Sequence, residues 1–222
     1  MIDRIVLYHG SEKVIKEPKY NWPTDNNDYG NAFYCTLELY SAKEWANKKT
    51  TNGFANKYLF DGRGLNVLDL TDKTKYSVMN WFAILMHFRS LDPTFKSRYR
   101  RELDYLESHY FIDVRDYDVV VGFRADDSYF KFPLMFVRSE IRLERIEDVY
   151  NLGFLGKQIA IISEKAFSRL KFIEAIPSEP FYQQKYRVRI KLADDRFEEI
   201  ANEERYKDGT RMIDLVKNDD KR

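Results

Sequence analysis

Asp118-Val119-Val120-Val121-Gly122-Phe123 constrains the fold of this chain more than any other stretch. Its apolar residues are consecutive, so they cannot be shared between a wet and a dry face. The segment therefore predicts a strand buried on both sides. Gln158-Ile159-Ala160-Ile161-Ile162 predicts a second core strand. Hydrophobic residues make up 44% and aromatic residues 16% of 222 positions, which is ample material for such a core. Global disorder is thereby excluded, and the length suits one large domain or a domain with an extension.

Around those strands the pattern predicts a mixed α+β chain. Ile5-Val6-Leu7 reads as a first strand running into a turn at His9-Gly10, and Ala32 to Thr36 as a second. Glu38 to Lys49 has helical spacing, with Thr36 as a candidate N-cap. Asn56 to Phe60 and Leu65 to Leu70 read as a hairpin around Asp61-Gly62-Arg63-Gly64. Ser77 to Ser90 and Arg98 to His109 are amphipathic helices, and Glu140 to Tyr150 has helical potential. Lys165 to Leu170 reads as a short helix and Phe172 to Ile176 as a strand. Pro177 and Pro180 mark a boundary, giving a domain over residues 1–176 and a charged extension over 177–222. In that extension Tyr186 to Leu192 alternates as an edge strand would, and 194–207 is a charged helical stretch.

Charge narrows the partners. Charged residues reach 33% but cancel to a formal +1, so bulk charge selects neither nucleic acid nor a membrane surface. Local basic groups at Arg98, Arg100 and Arg101 and over Lys185 to Lys191 are read as solvated surface, with nucleic-acid contact as the competing reading. Cys35 is the single cysteine, which excludes an internal disulfide. His9, His87 and His109 show no metal-ligand spacing with it, so no metal is expected. The longest apolar run, around Trp81 to Met86, is too short to span a bilayer. No basic segment followed by an apolar core opens the chain. A cytoplasmic protein without membrane contact is the expectation.

Three separated motifs then bear on function. The first is Leu7-Tyr8-His9-Gly10-Ser11. The second is Asp28-Tyr29-Gly30-Asn31-Ala32-Phe33-Tyr34-Cys35-Thr36, followed by Ala42-Lys43-Glu44-Trp45-Ala46. The third is Gly156 to Phe167 with Leu170-Lys171-Phe172. Between the second and third stands Tyr117 to Asp127, a strand and glycine ending in paired aspartates. In this order the motifs resemble the catalytic core of the ADP-ribosyltransferases, in the histidine–tyrosine–glutamate branch that contains the poly(ADP-ribose) polymerases. They are similar in particular to a group of small bacterial proteins built on the same core. The resemblance covers residues 4 to about 176.

The resemblance implies an ADP-ribosyltransferase fold, with two packed, mostly antiparallel sheets, flanking helices and an NAD+ cleft between them. It implies NAD+ as co-substrate and transfer of ADP-ribose to a macromolecular acceptor, protein or nucleic acid, as a toxin-like or phage-defence effector. By resemblance His9 hydrogen-bonds the adenosine ribose, Gly10 meets the nicotinamide amide through its backbone, and Ser11 adds a bond on that side. Tyr34 stacks on nicotinamide and Trp45 forms a second aromatic wall. At the position where many members carry a catalytic glutamate this chain has Gln158, which hydrogen-bonds but supplies no negative charge. That points away from chain elongation and leaves mono-ADP-ribosylation, slow NAD+ hydrolysis or NAD+ binding alone. Asp126 and Asp127 are the alternative acidic candidates, with a turn or helix cap as the other reading. Arg89 is read as a phosphate contact or as an ion-pair partner of an aspartate. The competing function is a non-catalytic NAD+ or ADP-ribose sensor or an interaction module. The charged extension is a candidate contact for an antitoxin or a neighbouring subunit.

Overall fold

The computed structural model describes residues 2–20, 27–49, 52–125, 130–146, 157–204 and 208–221. Seven strands form one sheet: β1 (Arg4–Ser11), β2 (Phe33–Thr36), β3 (Phe54–Asp61), β4 (Val67–Asp69), β5 (Val119–Phe123), β6 (Lys157–Ile161) and β7 (Leu170–Pro177). Their order across the sheet is β4-β5-β6-β2-β1-β3-β7. Every pairing is antiparallel except β4 with β5.

The valine strand occupies the interior position its composition demands. Val119 and Val121 join Ile159, Ile161, Leu7 and Phe60 in a core on one face. Val120 and Ala160 join Leu68 and Trp81 in a larger core on the other. That larger core is covered by α2 (Val78–Phe88), α4 (Arg100–Tyr110) and α5 (Lys131–Val137). A short α3 (Pro93–Arg98) precedes α4, with Pro93 in its first turn and Asp92 capping Thr94 and Phe95. α6 (Glu164–Phe167) buries Ala166 in the smaller core. The mixed α+β class is as expected; the sheet arrangement is not. In place of two separate sheets there is one, whose halves meet at a weak seam. β1 pairs with β3 along its whole length, but with β2 only at Tyr8 opposite Thr36.

Three local expectations are corrected. β1 does not turn at His9-Gly10 but continues through Ser11, because β3 pairs with it to that point. The residues 61–64 form a turn, with the Leu65 N–H bonded to Gly62 O at 3.2 Å, yet no hairpin follows. Both edges of β3 are taken, by β1 and β7, so β4 has no place beside it. Instead Asp118 accepts the Asn66 N–H at 2.8 Å and the chain is steered to β5, at the far side of the sheet. Finally, Tyr186 to Leu192 lies inside a helix, α7 (Phe181–Glu204).

The reason for the last lies in spacing and partners. Tyr182 and Tyr186, four residues apart, share a buried helical face. The next turn brings Arg189 Nε within 2.8 Å of Glu44 on α1 (Leu39–Ala46). Val188 and Leu192, whose alternation suggested a strand, are 52% and 58% exposed. The extension ends in α8 (Met212–Asp219), whose Met212 and Val216 are buried in the larger core. Of the Glu140 to Tyr150 segment, 143–146 is helical and 147–150 lies outside the described residues. Among the described residues no helix is long and apolar enough to cross a membrane.

Candidate functional site

The seam between β1 and β2 opens into a cleft of about 900 Å³. Past Tyr8 the two strands have no register partners, and a side chain bridges the gap. His9 Nδ1 lies 2.7 Å from the Tyr34 carbonyl oxygen on β2. A carbonyl only accepts, so Nδ1 carries the proton and Nε2 is left as an acceptor. The ring stacks on Phe33, with centroids 4.3 Å apart. Withdrawal from water lowers the imidazole pKa below its ordinary 6.5, outweighing the carbonyl contact. His9 is therefore neutral at physiological pH.

A pH prediction follows, and its sign is fixed. The unfolded imidazole takes up a proton near 6.5, while the folded one resists protonation to lower pH. The His9 contribution to stability is complete above the unfolded value and is lost as pH falls through it. Thermal midpoints taken from pH 7.5 to 5.5, a range of roughly two units around the free imidazole value, should drop more steeply in the native protein than in His9→Gln. Identical slopes would refute the assignment.

Gly10, Ser11, Tyr34, Trp45, Arg89 and Gln158 also line this cleft. The residues singled out on separate motifs are thus brought together, and several of them also hold the walls of the cleft in place. Gly10 is required by α1: a Cβ there would lie 2.2 Å from the Ala42 backbone oxygen and 2.8 Å from the Ala46 nitrogen. Ser11 Oγ accepts the Lys13 N–H at 3.2 Å, so it shapes the strap that follows β1. That strap is held to β3 by Asn56, fully buried, which accepts from Ile15 N–H at 2.9 Å and donates to Lys13 O at 3.1 Å. Tyr58 adds a hydroxyl bond to Ile15 O. The Trp45 ring carries two cations, Arg124 at 4.4 Å and Lys48 at 4.8 Å from its centroid.

Tyr34 is pinned by its hydroxyl, which donates to Gly30 O at 2.7 Å and accepts the Tyr29 N–H at 3.0 Å. Burial drives its pKa far upward, so the phenol stays protonated and does not serve as a base. Gly30 takes φ +69°, which a glycine adopts without penalty. Cys35 is buried with its thiol pKa pushed up, which removes it as a nucleophile. Asp126 and Asp127 lie outside the described residues. The basic groups outside the cleft are engaged in part: Arg100 pairs with Asp104 and Arg101 with Asp220.

One site residue escaped the sequence reasoning. Asp28, 6% exposed, accepts from Gln158 Nε2 at 2.8 Å and from the Ala125 N–H at 2.9 Å, both through Oδ2. Its Oδ1 lies 3.8 Å from Arg89 Nε, an ion pair within the cleft lining that Arg89 shares. Burial raises the Asp28 pKa above its ordinary value against the pull of Arg89 and Arg124. Asp28 opens the second motif, but it also closes the run Thr24 to Asp28, which reads as turn chemistry. Among the described residues the acidic side chains lining the cleft are Glu17 and Asp28, whereas the rim carries Lys16, Lys48, Lys49, Arg124 and Lys157. Among the described residues cations thus outnumber carboxylates around this opening, an arrangement that attracts an anionic ligand.

Neither a curated protein nor a solved structure matches the chain. A family model described as "Protein of unknown function (DUF3990)" matches residues 5–172, well over half of the chain, and the protein belongs to that family.

Proposed function

We propose that the cleft binds NAD+ and that the protein transfers a single ADP-ribose unit from it to a macromolecular acceptor. The observation that carries this reading is the convergence of His9, Tyr34 and Gln158, from three different strands, on one cleft with a cationic rim. A dinucleotide of this kind presents a pyrophosphate, ribose hydroxyls and a cationic pyridinium ring. The rim suits the first. His9 Nε2, unprotonated, suits a ribose hydroxyl as acceptor. The Tyr34 ring suits the pyridinium, an attraction of about 0.5–2 kcal/mol per aromatic face. Beyond Tyr8 the β2-facing edge of β1 has no strand partner, which offers backbone groups to the nicotinamide amide.

In the reaction the bond between ribose C1′ and the pyridinium nitrogen breaks, and its electron pair leaves with neutral nicotinamide. The acceptor oxygen or nitrogen bonds to C1′ and gives its proton to water. Rate is gained by contacts that strengthen as positive charge develops on the ribose. Incubation with NAD+ labelled in the adenosine half should label macromolecules in a cell lysate and release nicotinamide. His9→Ala should lower kcat/KM by about 5- to 150-fold, the equivalent of about 1–3 kcal/mol for a lost buried hydrogen bond. Binding without nicotinamide release would replace the transferase with a nucleotide sensor. Absence of binding at millimolar NAD+ would overturn both.

A further inference from the structure

Gln158 is the point at which transferase chemistry looks incomplete, because an amide stabilises no developing cation by charge. The structure places a carboxylate against that amide. Gln158 Nε2 faces two acceptors, Asp28 Oδ2 at 2.8 Å and Phe123 O at 3.4 Å, which fixes the amide with nitrogen inward and leaves Oε1 as its remaining acceptor. Gln158 is 7% exposed and Asp28 6%, and both border the cleft. Water therefore screens their interaction little.

We propose that Asp28 and Gln158 act as one unit in which Gln158 contacts the reacting ribose and Asp28 supplies the negative charge behind it. The proposal rests on the NAD+ reading above. The two properties a single glutamate combines, an acceptor for a ribose hydroxyl and a charge near C1′, are divided between two residues of different strands and loops. Asp28 is accordingly a positioning residue: it holds the amide in one orientation and polarises it, since donation from Nε2 to a carboxylate makes Oε1 a stronger acceptor. No proton moves between them in the reaction. The C1′–N bond breaks towards nicotinamide, the ribose becomes cationic, and the pair lowers the energy of that state until the acceptor's electron pair closes the new bond.

Other features of the site have this unit as their consequence. The Ala125 N–H and the Arg89 guanidinium are both aimed at Asp28. Arg89, which lines the same cleft, is itself seated over the Phe130 ring, 4.7 Å from its centroid. These contacts oppose the burial that raises the Asp28 pKa and favour its charged form.

Asp28→Asn isolates the charge from the geometry. Both hydrogen bonds received by Asp28 end on Oδ2, so an asparagine with its oxygen in that place keeps them. The expected result is a kcat for nicotinamide release lowered about 10²–10³-fold, the loss seen when one preorganised electrostatic contact is removed, with the calorimetric Kd for NAD+ changed less than about threefold, under 1 kcal/mol. The native protein should lose kcat on acidification with an apparent pKa above the usual aspartate value of ~3.9, and this limb should vanish in the variant. The exchange Asp28→Asn with Gln158→Glu, which moves the charge to the other member, should regain at least about tenfold, or about 1.4 kcal/mol. A merely structural Asp28 predicts no such rescue. A kcat for Asp28→Asn equal to that of the native protein, or an exchange no faster than the single variant, overturns the proposal while leaving the NAD+ reading intact. A native protein that neither binds NAD+ nor releases nicotinamide overturns that reading, and the proposal with it.

Discussion

Gly10→Ala is expected to destabilise the protein by about 1–3 kcal/mol, the range for forcing atoms into a packed interior. At roughly 2–4 °C per kcal/mol for a chain of this size, differential scanning calorimetry should show a thermal midpoint lower by about 2–12 °C. The physical reason is that the clash has no flexible partner. A Cβ on Gly10 would meet the backbone oxygen of Ala42 at 2.2 Å and the Ala46 nitrogen at 2.8 Å, so α1 itself must lift. Gly53 grips the same helix, since a Cβ there would lie 2.3 Å from the Ala46 oxygen. Two glycines on adjacent strand ends thus set the height of α1 above the sheet. The consequence reaches the cleft, because α1 carries Trp45 and Trp45 seats Arg124. Gly10→Ala should therefore weaken NAD+ binding together with stability. Gly64 is the control: it takes φ +72° but has open space around it, so alanine there costs only the backbone strain, about 1 kcal/mol. A midpoint for Gly10→Ala no lower than that of Gly64→Ala would show that α1 is not held as described.

What was legible in the chain divides along physical lines. Continuous apolar runs such as Val119 to Phe123 specify burial on both faces wherever they stand, and β5 is buried accordingly. Strand partners are a different matter, because pairing depends on which edges remain free. The turn after Asp61 looks like a hairpin until β7 is seen to occupy the second edge of β3. Tyr186 to Leu192 alternates for seven residues, too few to tell a strand from a helix whose one face is decided elsewhere, here by Glu44. In the cleft, His9, Tyr34 and Gln158 were legible because each sits in a motif with neighbours of its own. Asp28 was not, because its meaning comes from a hydrogen bond to a residue 130 positions away. A turn-rich setting also gave it a sufficient local explanation.

Tyr34→Phe should separate two roles that stand on one side chain. In the proposed reading the ring is the surface offered to nicotinamide, whereas the hydroxyl is a clamp on the chain before β2, bonded to both Gly30 O and the Tyr29 N–H. Phenylalanine keeps the ring and strips both backbone groups of their partner, which costs about 1–3 kcal/mol for each buried group left unsatisfied. The loop so released is the one that presents Asp28 to Gln158. Tyr29 adds a second tie through its own hydroxyl to Phe123 O at 2.8 Å, packed so closely against Gly122 that the loop has one well-fitting position. Tyr34→Phe is thus expected to lower the thermal midpoint by several degrees, roughly 2–4 °C for each kcal/mol lost. It should also reduce kcat more than it weakens NAD+ binding, since stacking survives and the charge is misplaced. Tyr34→Ala should lose binding as well, because the stacking surface goes with the clamp. If the phenylalanine variant instead kept kcat and lost affinity, the hydroxyl would be a ligand contact and not a clamp. Its two backbone bonds argue for the clamp: the proton and one lone pair of the phenol are directed to the loop, so little of it is left for a substrate.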